Sequence, residues 1–124
     1  MKGKRILIVE DEAIIALELE MRLQIEGFND IKIVSTGQQA IDLTNEKEFN
    51  LILMDIILKG QMDGIEAARQ INKNHSIPII YVTGNSDYKT DKRLLATRPI
   101  DVLIKPVASW QLFKIIKQTL TSSN

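Results

Sequence analysis

The 124-residue chain contains no cysteine, which excludes disulfides and thiolate metal sites and is compatible with a reducing compartment. It has no excess of either charge: 16 Lys plus Arg balance 16 Asp plus Glu, for a formal net charge of zero. A nucleic-acid-binding surface needs a clustered basic excess, so direct nucleic-acid binding is not expected. A long hydrophobic run is also missing. Met1-Lys2-Gly3-Lys4-Arg5 leads into only four apolar residues before Glu10, too short for a signal-peptide core or a membrane span. Repeats, low-complexity segments and internal linkers are absent as well. What remains is the expectation of a soluble cytoplasmic domain without membrane attachment, long enough to bury a proper core.

Within that frame, apolar runs alternate with helical patterns throughout. Residues 5–9 predict a strand and about 12–26 a helix closed by Gly27, a residue type common just past a helix end. A second strand over 31–35 and a helix over about 37–47 follow, then a third strand over 50–55. The next helix starts near Asp63-Gly64 and runs to about Lys73. Pro78 opens a fourth strand, Ile79-Ile80-Tyr81-Val82, at a strand start where proline is tolerated. A weaker helical pattern covers about 87–97, Asp101-Val102-Leu103-Ile104 is a fifth strand, and a last helix spans about 108–120. Thr121-Ser122-Ser123-Asn124 reads as a polar, frayed tail. Five β/α units with short connections imply right-handed crossovers and a parallel sheet covered on both faces.

Two of the strands run into carboxylates: Ile6-Leu7-Ile8-Val9 into Glu10-Asp11, and Leu51-Ile52-Leu53-Met54 into Asp55. An unpartnered charge is costly to bury, so these acids belong where the strands emerge, at the carboxyl edge that binds ligands in open α/β sheets. Together Glu10, Asp11 and Asp55 form a self-repelling cluster unless protons or a cation offset it. Oxygen-only ligands suit Mg²⁺, Mn²⁺ or Ca²⁺. Thr83 follows the fourth strand, and Gly84 leaves room for a backbone N–H to approach an oxyanion. Lys105 follows the fifth strand with a point positive charge, and the Lys105–Pro106 bond is a candidate cis peptide. Singly, each residue has an ordinary structural use: a strand-end Asp caps a helix or makes a turn, and a lysine sits solvated in a loop. The ordered set of acid pair, acid, hydroxyl and lysine outweighs those uses and describes a site for an anion plus a cation. His75, in the polar stretch Asn74-His75-Ser76, reads as an exposed loop residue, and Met54 and Met62 as packing residues.

Glu10-Asp11, Asp55, Thr83 and Lys105-Pro106, in this order and spacing, resemble the response-regulator receiver domain of two-component signalling, over essentially the whole chain. The resemblance implies one receiver domain over 1–124 with no output domain, and a doubly wound, flavodoxin-like five-stranded parallel sheet in the order 2-1-3-4-5. It implies that Asp55 is the phosphoacceptor, taking a phosphoryl group from a histidine kinase or a histidine phosphotransfer protein. Asp11, Asp55 and the backbone carbonyl of Ile57 would ligate Mg²⁺, or Mn²⁺, with Glu10 acting mainly through metal-bound water. Thr83, Gly84 and Lys105 would contact the phosphoryl oxygens, and Ile57 and Asn85 would tune its lifetime. Such a chain is a signalling phosphoacceptor rather than an enzyme. The physical logic agrees, because phosphoryl transfer needs in-line positioning and neutralisation of spread negative charge.

Departures from the family pattern bear on the switch. Many receivers carry an aromatic residue three positions before the lysine; here Val102 stands there, stiff at χ1 and without a ring to swing. The loop Lys59-Gly60-Gln61-Met62-Asp63-Gly64 is one residue longer than usual, with Gly60 adding flexibility. An apolar Ile57 is expected to restrict the attacking water and slow hydrolysis. The first helix carries two apolar stripes, Ile14/Leu17/Met21/Ile25 and Ile15/Leu19/Leu23. One covers the sheet; the other is expected to pack on the last helix, with part of it open to a kinase or phosphotransfer helix. In that last helix Leu112, Phe113, Ile116 and Leu120 form the core stripe. Trp110 projects opposite, as expected of a partner or homodimer surface built by the last two β/α units. A flavodoxin-like FMN binder would not place Glu10-Asp11-Glu12 where phosphate must sit, and an aspartate-nucleophile phosphatase would carry a second Asp where Ile57 stands. The remaining alternative is a receiver-like interaction module that is never phosphorylated.

Overall fold

Five strands, β1 (Arg5–Val9), β2 (Asp30–Val34), β3 (Leu51–Met54), β4 (Ile79–Thr83) and β5 (Asp101–Ile104), form the sheet of the computed structural model, which describes residues 3–121. All pairings are parallel, as the β/α alternation predicts, and the order is β2-β1-β3-β4-β5, as the resemblance implies. The helices are α1 (Ala13–Ile25), α2 (Gly37–Glu46), α3 (Gly64–Asn72), α4 (Lys92–Ala96) and α5 (Ser109–Thr121). Ile6 and Ile8 join one core with Leu19 and Leu23 of α1 and Leu112 and Ile116 of α5. Leu7 and Val9 join the other with Ala40 of α2, Ala67, Ala68 and Ile71 of α3 and Leu94 of α4. This is strand alternation at work: neighbours on a strand face opposite sides, so a strand buried on both must be apolar throughout.

Helix starts are fixed by side-chain oxygens that accept otherwise unpaired N–H groups. Thr36 and Gln39 form a reciprocal capping box on α2, and Asp63 accepts from Glu66 N at 2.8 Å on α3. Asp91 accepts from Leu94 N at 3.0 Å. That last cap explains one correction: the helix expected over 87–97 is a 3-10 turn, Ser86–Thr90, followed by the separate short α4. Asp91 begins a new helix rather than continuing an old one, because a short acidic side chain favours the cap over the helix interior.

Other boundaries differ by a residue: β2 runs over 30–34 rather than 31–35, and Thr83 is the last residue of β4 rather than the first beyond it. Met54, not Asp55, ends β3, which leaves the acid just outside the strand. Of the predicted tail, Thr121 closes α5, while residues 122–124 lie outside the described residues. His75 is half-buried rather than exposed, with Nε2 2.8 Å from Asn45 Oδ1. Met54 is buried and Met62 packs against the same core, as expected.

The larger correction concerns α1. Ile15, Leu19 and Leu23 face inward, but Ile14, Leu17, Met21 and Ile25 are not packed on α5; all four are exposed, Ile14 at 83% and Ile25 at 81%. Order β2-β1-β3-β4-β5 puts α1 and α5 on one face of the sheet, where Lys117 reaches Glu26 at 2.9 Å and Arg22 reaches Val107 O at 2.9 Å. Polar ties and the inner stripe already fill that seam, so the outer stripe has nothing left to pack on. No helix among the described residues is long and apolar enough to cross a membrane.

Candidate functional site

Register carries the acids to one place. Val9 pairs with Met54 at the ends of β1 and β3, so Glu10-Asp11 and Asp55 leave the sheet side by side. Ladder bonds continue one step further, Glu10 N donating to Val34 O and Asp55 N to Val9 O, both at 3.0 Å. One oxygen from each of Glu10, Asp11 and Asp55 lies within 4.8 Å of the others. Across the sheet, Lys105 N donates to Thr83 O at 2.8 Å, which brings the end of β5 to the same edge.

Lys105 Nζ donates to Glu10 Oε1 at 2.8 Å and to Asp55 Oδ2 at 3.1 Å. Glu10 is only 5% exposed and its other oxygen accepts from Glu12 N at 3.1 Å, so its charge is paired rather than stranded. Asp55 Oδ1 accepts from Ile56 N at 2.7 Å. Burial pushes the Lys105 ammonium down, but the hydrogen bonds to Glu10 and Asp55 and the charge of both carboxylates outweigh it and raise its pKa above the usual lysine value. Three carboxylates and one ammonium leave a formal charge of −2 at this edge. All-oxygen donors with that charge fit a hard divalent cation such as Mg²⁺.

Around this centre the other predicted residues take varied places. Thr83 is buried, and its Oγ1 accepts from Asn85 N at 3.3 Å. Asn85 in turn caps the 3-10 turn, accepting from Asp87 N at 2.9 Å. Gly84 is exposed, and a Cβ built on it would meet nothing within 4 Å. Ile57 is 66% exposed at the start of the loop after β3. Gly60 takes a φ of +95°, which favours glycine, at the loop's open tip. Val102 is buried and pairs with Tyr81, and the Lys105–Pro106 peptide is cis. Trp110 is 72% exposed, as the sequence predicts.

Residues 6–117 match the response regulator receiver domain family. The chain belongs to the response-regulator receiver family. Solved structures similar to it include the response regulator TrrA from Thermotoga maritima in complex with Mg²⁺ and BeF, at 30% identity and a TM-score of 0.86 over 94% of this chain and 99% of that one. A receiver domain protein from Methanospirillum hungatei has 30% identity and a TM-score of 0.87 over 96% and 94%. The receiver domain of a sensor histidine kinase from Pseudomonas aeruginosa, with a magnesium ion in its active site cleft, has 29% identity and a TM-score of 0.83 over 95% and 98%.

For this receiver domain the sequence pointed to every side chain of the charged centre but not to how they connect. The direct bond between Lys105 and Glu10, and the support from the N–H groups of Glu12 and Ile56, depend on local turns that no spacing reveals. Arg22 was missed altogether. Its guanidinium donates to Val107 O at 2.9 Å and Ser109 Oγ at 3.0 Å, tying α1 to the segment just after Lys105.

Proposed function

We propose that this receiver domain accepts a phosphoryl group on Asp55 from a phosphohistidine of a sensor kinase or phosphotransfer protein, with Mg²⁺ (or Mn²⁺) bound at the acidic edge, in the cytoplasm. The observation that carries the reading is the shared Lys105 ammonium on Glu10 and Asp55, with Asp11 within 4.8 Å. A merely structural strand-end carboxylate does not need two further acids beside it.

In this reading an Asp55 carboxylate oxygen forms the new O–P bond as the P–N bond to histidine breaks, and the leaving imidazole keeps the electron pair. Asp11, Asp55 and the Ile57 carbonyl would hold the cation directly and Glu10 mainly through bound water; the cation would supply positive charge to the spreading phosphoryl oxygens. Lys105 exchanges part of its bond to Asp55 for a phosphoryl oxygen, and Thr83 and the N–H of Gly84 take others. Apolar Ile57 limits water at the phosphoryl group, and Ile57 and Asn85 together set its lifetime. The domain promotes its own phosphorylation and dephosphorylation but turns over no external substrate as an enzyme would.

A phosphohistidine sits on a helix in the partners this reading calls for, and the exposed stripe Ile14, Leu17, Met21 and Ile25 of α1 gives such a helix an apolar face beside Asp11. Trp110, at the start of α5, serves a second contact, to a downstream partner or a second copy through the last two β/α units.

The test is intact mass after incubation with acetyl phosphate and Mg²⁺. A phosphoryl adduct that needs Mg²⁺ and is absent from Asp55→Asn is expected. Absence of both an adduct and Mg²⁺ binding would favour the constitutive interaction module instead.

A further inference from the structure

Gly64 opens α3, and nothing in its backbone conformation demands glycine, since its φ lies outside the left-handed region. Space demands it. A Cβ built there would lie 2.0 Å from the backbone oxygen of Asp55, 3.0 Å from its carbonyl carbon and 3.0 Å from Ile56 Cα. All three are backbone atoms of the segment that carries the phosphoacceptor, so no side-chain rotation relieves the clash. Gly37 makes the comparison clear: its Cβ would meet Ala67 Cβ and Met62 Sδ at 3.1 Å, tight contacts with side-chain atoms and none with the Asp55 segment, while at Gly60 and Gly84 it would meet nothing within 4 Å.

The first turn of α3 is pinned on both sides. Gly64 N donates to Ile56 O at 2.7 Å, and Asp63 caps the helix while its carboxylate accepts from Arg93 Nη1 and Nη2, each at 3.2 Å. Opposite, Asp55 N is held by Val9 O. The backbone of Asp55 and Ile56 is thus clamped between the ladder from β1 and the start of α3. Its carboxylate in turn meets Ile56 N and Lys105 Nζ in fixed directions. Because interiors are close-packed, a displaced backbone there has no slack to absorb it.

We infer that Gly64 is a positioning residue for the phosphoacceptor: it lets α3 abut the Asp55 carbonyl and so fixes where the Asp55 carboxylate stands against Glu10, Asp11 and Lys105. This rests on the proposed phosphoryl acceptance for its consequence, but the placement itself is measurable without any phosphodonor.

The experiment compares Gly64→Ala with Gly37→Ala at a temperature where circular dichroism shows both fully folded. Amide resonances of Asp55 and Ile56 in the metal-free protein are read first, then Mg²⁺ affinity, then the phosphorylation rate with acetyl phosphate. Gly64→Ala is expected to shift both amide resonances, weaken Mg²⁺ binding, and slow phosphorylation by about 10- to 100-fold, the scale of an ångström-sized misplacement. Gly37→Ala is expected to stay within about twofold in binding and rate, since its milder strain falls on Ala67 and Met62 and not on the segment that carries Asp55. Unshifted Asp55 and Ile56 amides, or wild-type Mg²⁺ affinity, in Gly64→Ala would overturn the inference. A Gly64→Ala chain with no cooperative unfolding transition would also overturn it, making Gly64 a requirement of the fold. If the parent protein takes no phosphoryl group, the functional reading fails while the amide shifts and Mg²⁺ affinity still decide the role of Gly64.

Discussion

Tyr81 places a fully buried ring beside Val102, with a polar tip that is also satisfied. It points to the same face of β4 as Thr83, two residues on, and pairs across the sheet with Val102, the position where many receivers carry an aromatic ring. Fully buried, it places its hydroxyl 2.7 Å from Thr97 Oγ1 just past α4, and Thr97 Oγ1 donates to Leu94 O at 2.6 Å. Val102 has no ring to swing; beside it the buried ring of Tyr81, on the neighbouring strand, is tied to Thr97 just past α4. Burial raises the Tyr81 pKa to about 12, partly opposed by the hydrogen bond to Thr97, with smaller contributions from Asp63 upward and Arg93 downward. The sign for stability follows from which state keeps the proton. Below the ordinary tyrosine value of 10.0 both states hold it and the stabilisation is complete. As pH rises from there toward about 12 the unfolded chain releases a proton that the folded chain retains, so stability falls. Tyr81→Phe is expected to cost about 1 kcal/mol at neutral pH for the lost hydrogen bond. The gap between parent and variant should close, then reverse, in urea denaturation at roughly pH 11, because the variant lacks this titration. A gap that stays constant with pH would show that Tyr81 ionises as freely folded as unfolded.

At the scale of elements, α1 has two faces of different purpose. Ile15, Leu19 and Leu23 hold the helix on the sheet, and truncating a fully buried leucine such as Leu23 to alanine is expected to cost about 2–5 kcal/mol. The outer stripe makes no such contribution. Ile14→Ser with Met21→Ser is expected to change stability by no more than about 0.5 kcal/mol. Phosphorylation by acetyl phosphate should then stay at the parent rate, while transfer from a phosphorylated histidine phosphotransfer domain should slow about tenfold or more. Equal slowing with both donors would place the effect in the site rather than in docking. The sequence could not decide which stripe was which, because apolar residues encircle α1 and periodicity then picks no face. The same kind of ambiguity explains the segment 86–97. Its few apolar residues fit one helix as well as two, and only the Asp91 cap, a local hydrogen bond, divides it. By contrast β1, β3 and β4 were legible almost to the residue, since each is a short apolar run buried on both faces, while the edge strand β2, with Lys32 exposed, shifts by one residue from its expected bounds.

Across the whole molecule, strand order turns a pattern spread over the chain into a charged centre. Glu10-Asp11 and Asp55 are far apart in sequence, yet β1 and β3 are neighbours, so reading where two strands end was enough to bring three acids together. What stayed illegible is what fits between elements: the missing Cβ of Gly64 and the Arg22 tie depend on distances that only the packed chain sets. The same centre opposes the fold that builds it, because gathered like charges at a binding site lower stability until a ligand compensates. Asp11 has no hydrogen bond or ion pair of its own among the described residues, unlike Glu10 and Asp55, so its charge adds to the repulsion with least in return. Asp11→Asn is therefore expected to raise the melting temperature of the metal-free protein, by about 2–5 °C for roughly 1 kcal/mol of repulsion relieved. Mg²⁺ should reverse the ranking. At ten times its dissociation constant it stabilises the parent by about 1.4 kcal/mol, and it should add little to a variant that has lost a carboxylate ligand. Melting curves of both proteins with and without Mg²⁺ should therefore cross, the variant more stable without the ion and the parent gaining more with it. A variant that gains as much from Mg²⁺ as the parent would remove Asp11 from the proposed cation site and leave it to Glu10, Asp55 and the Ile57 carbonyl.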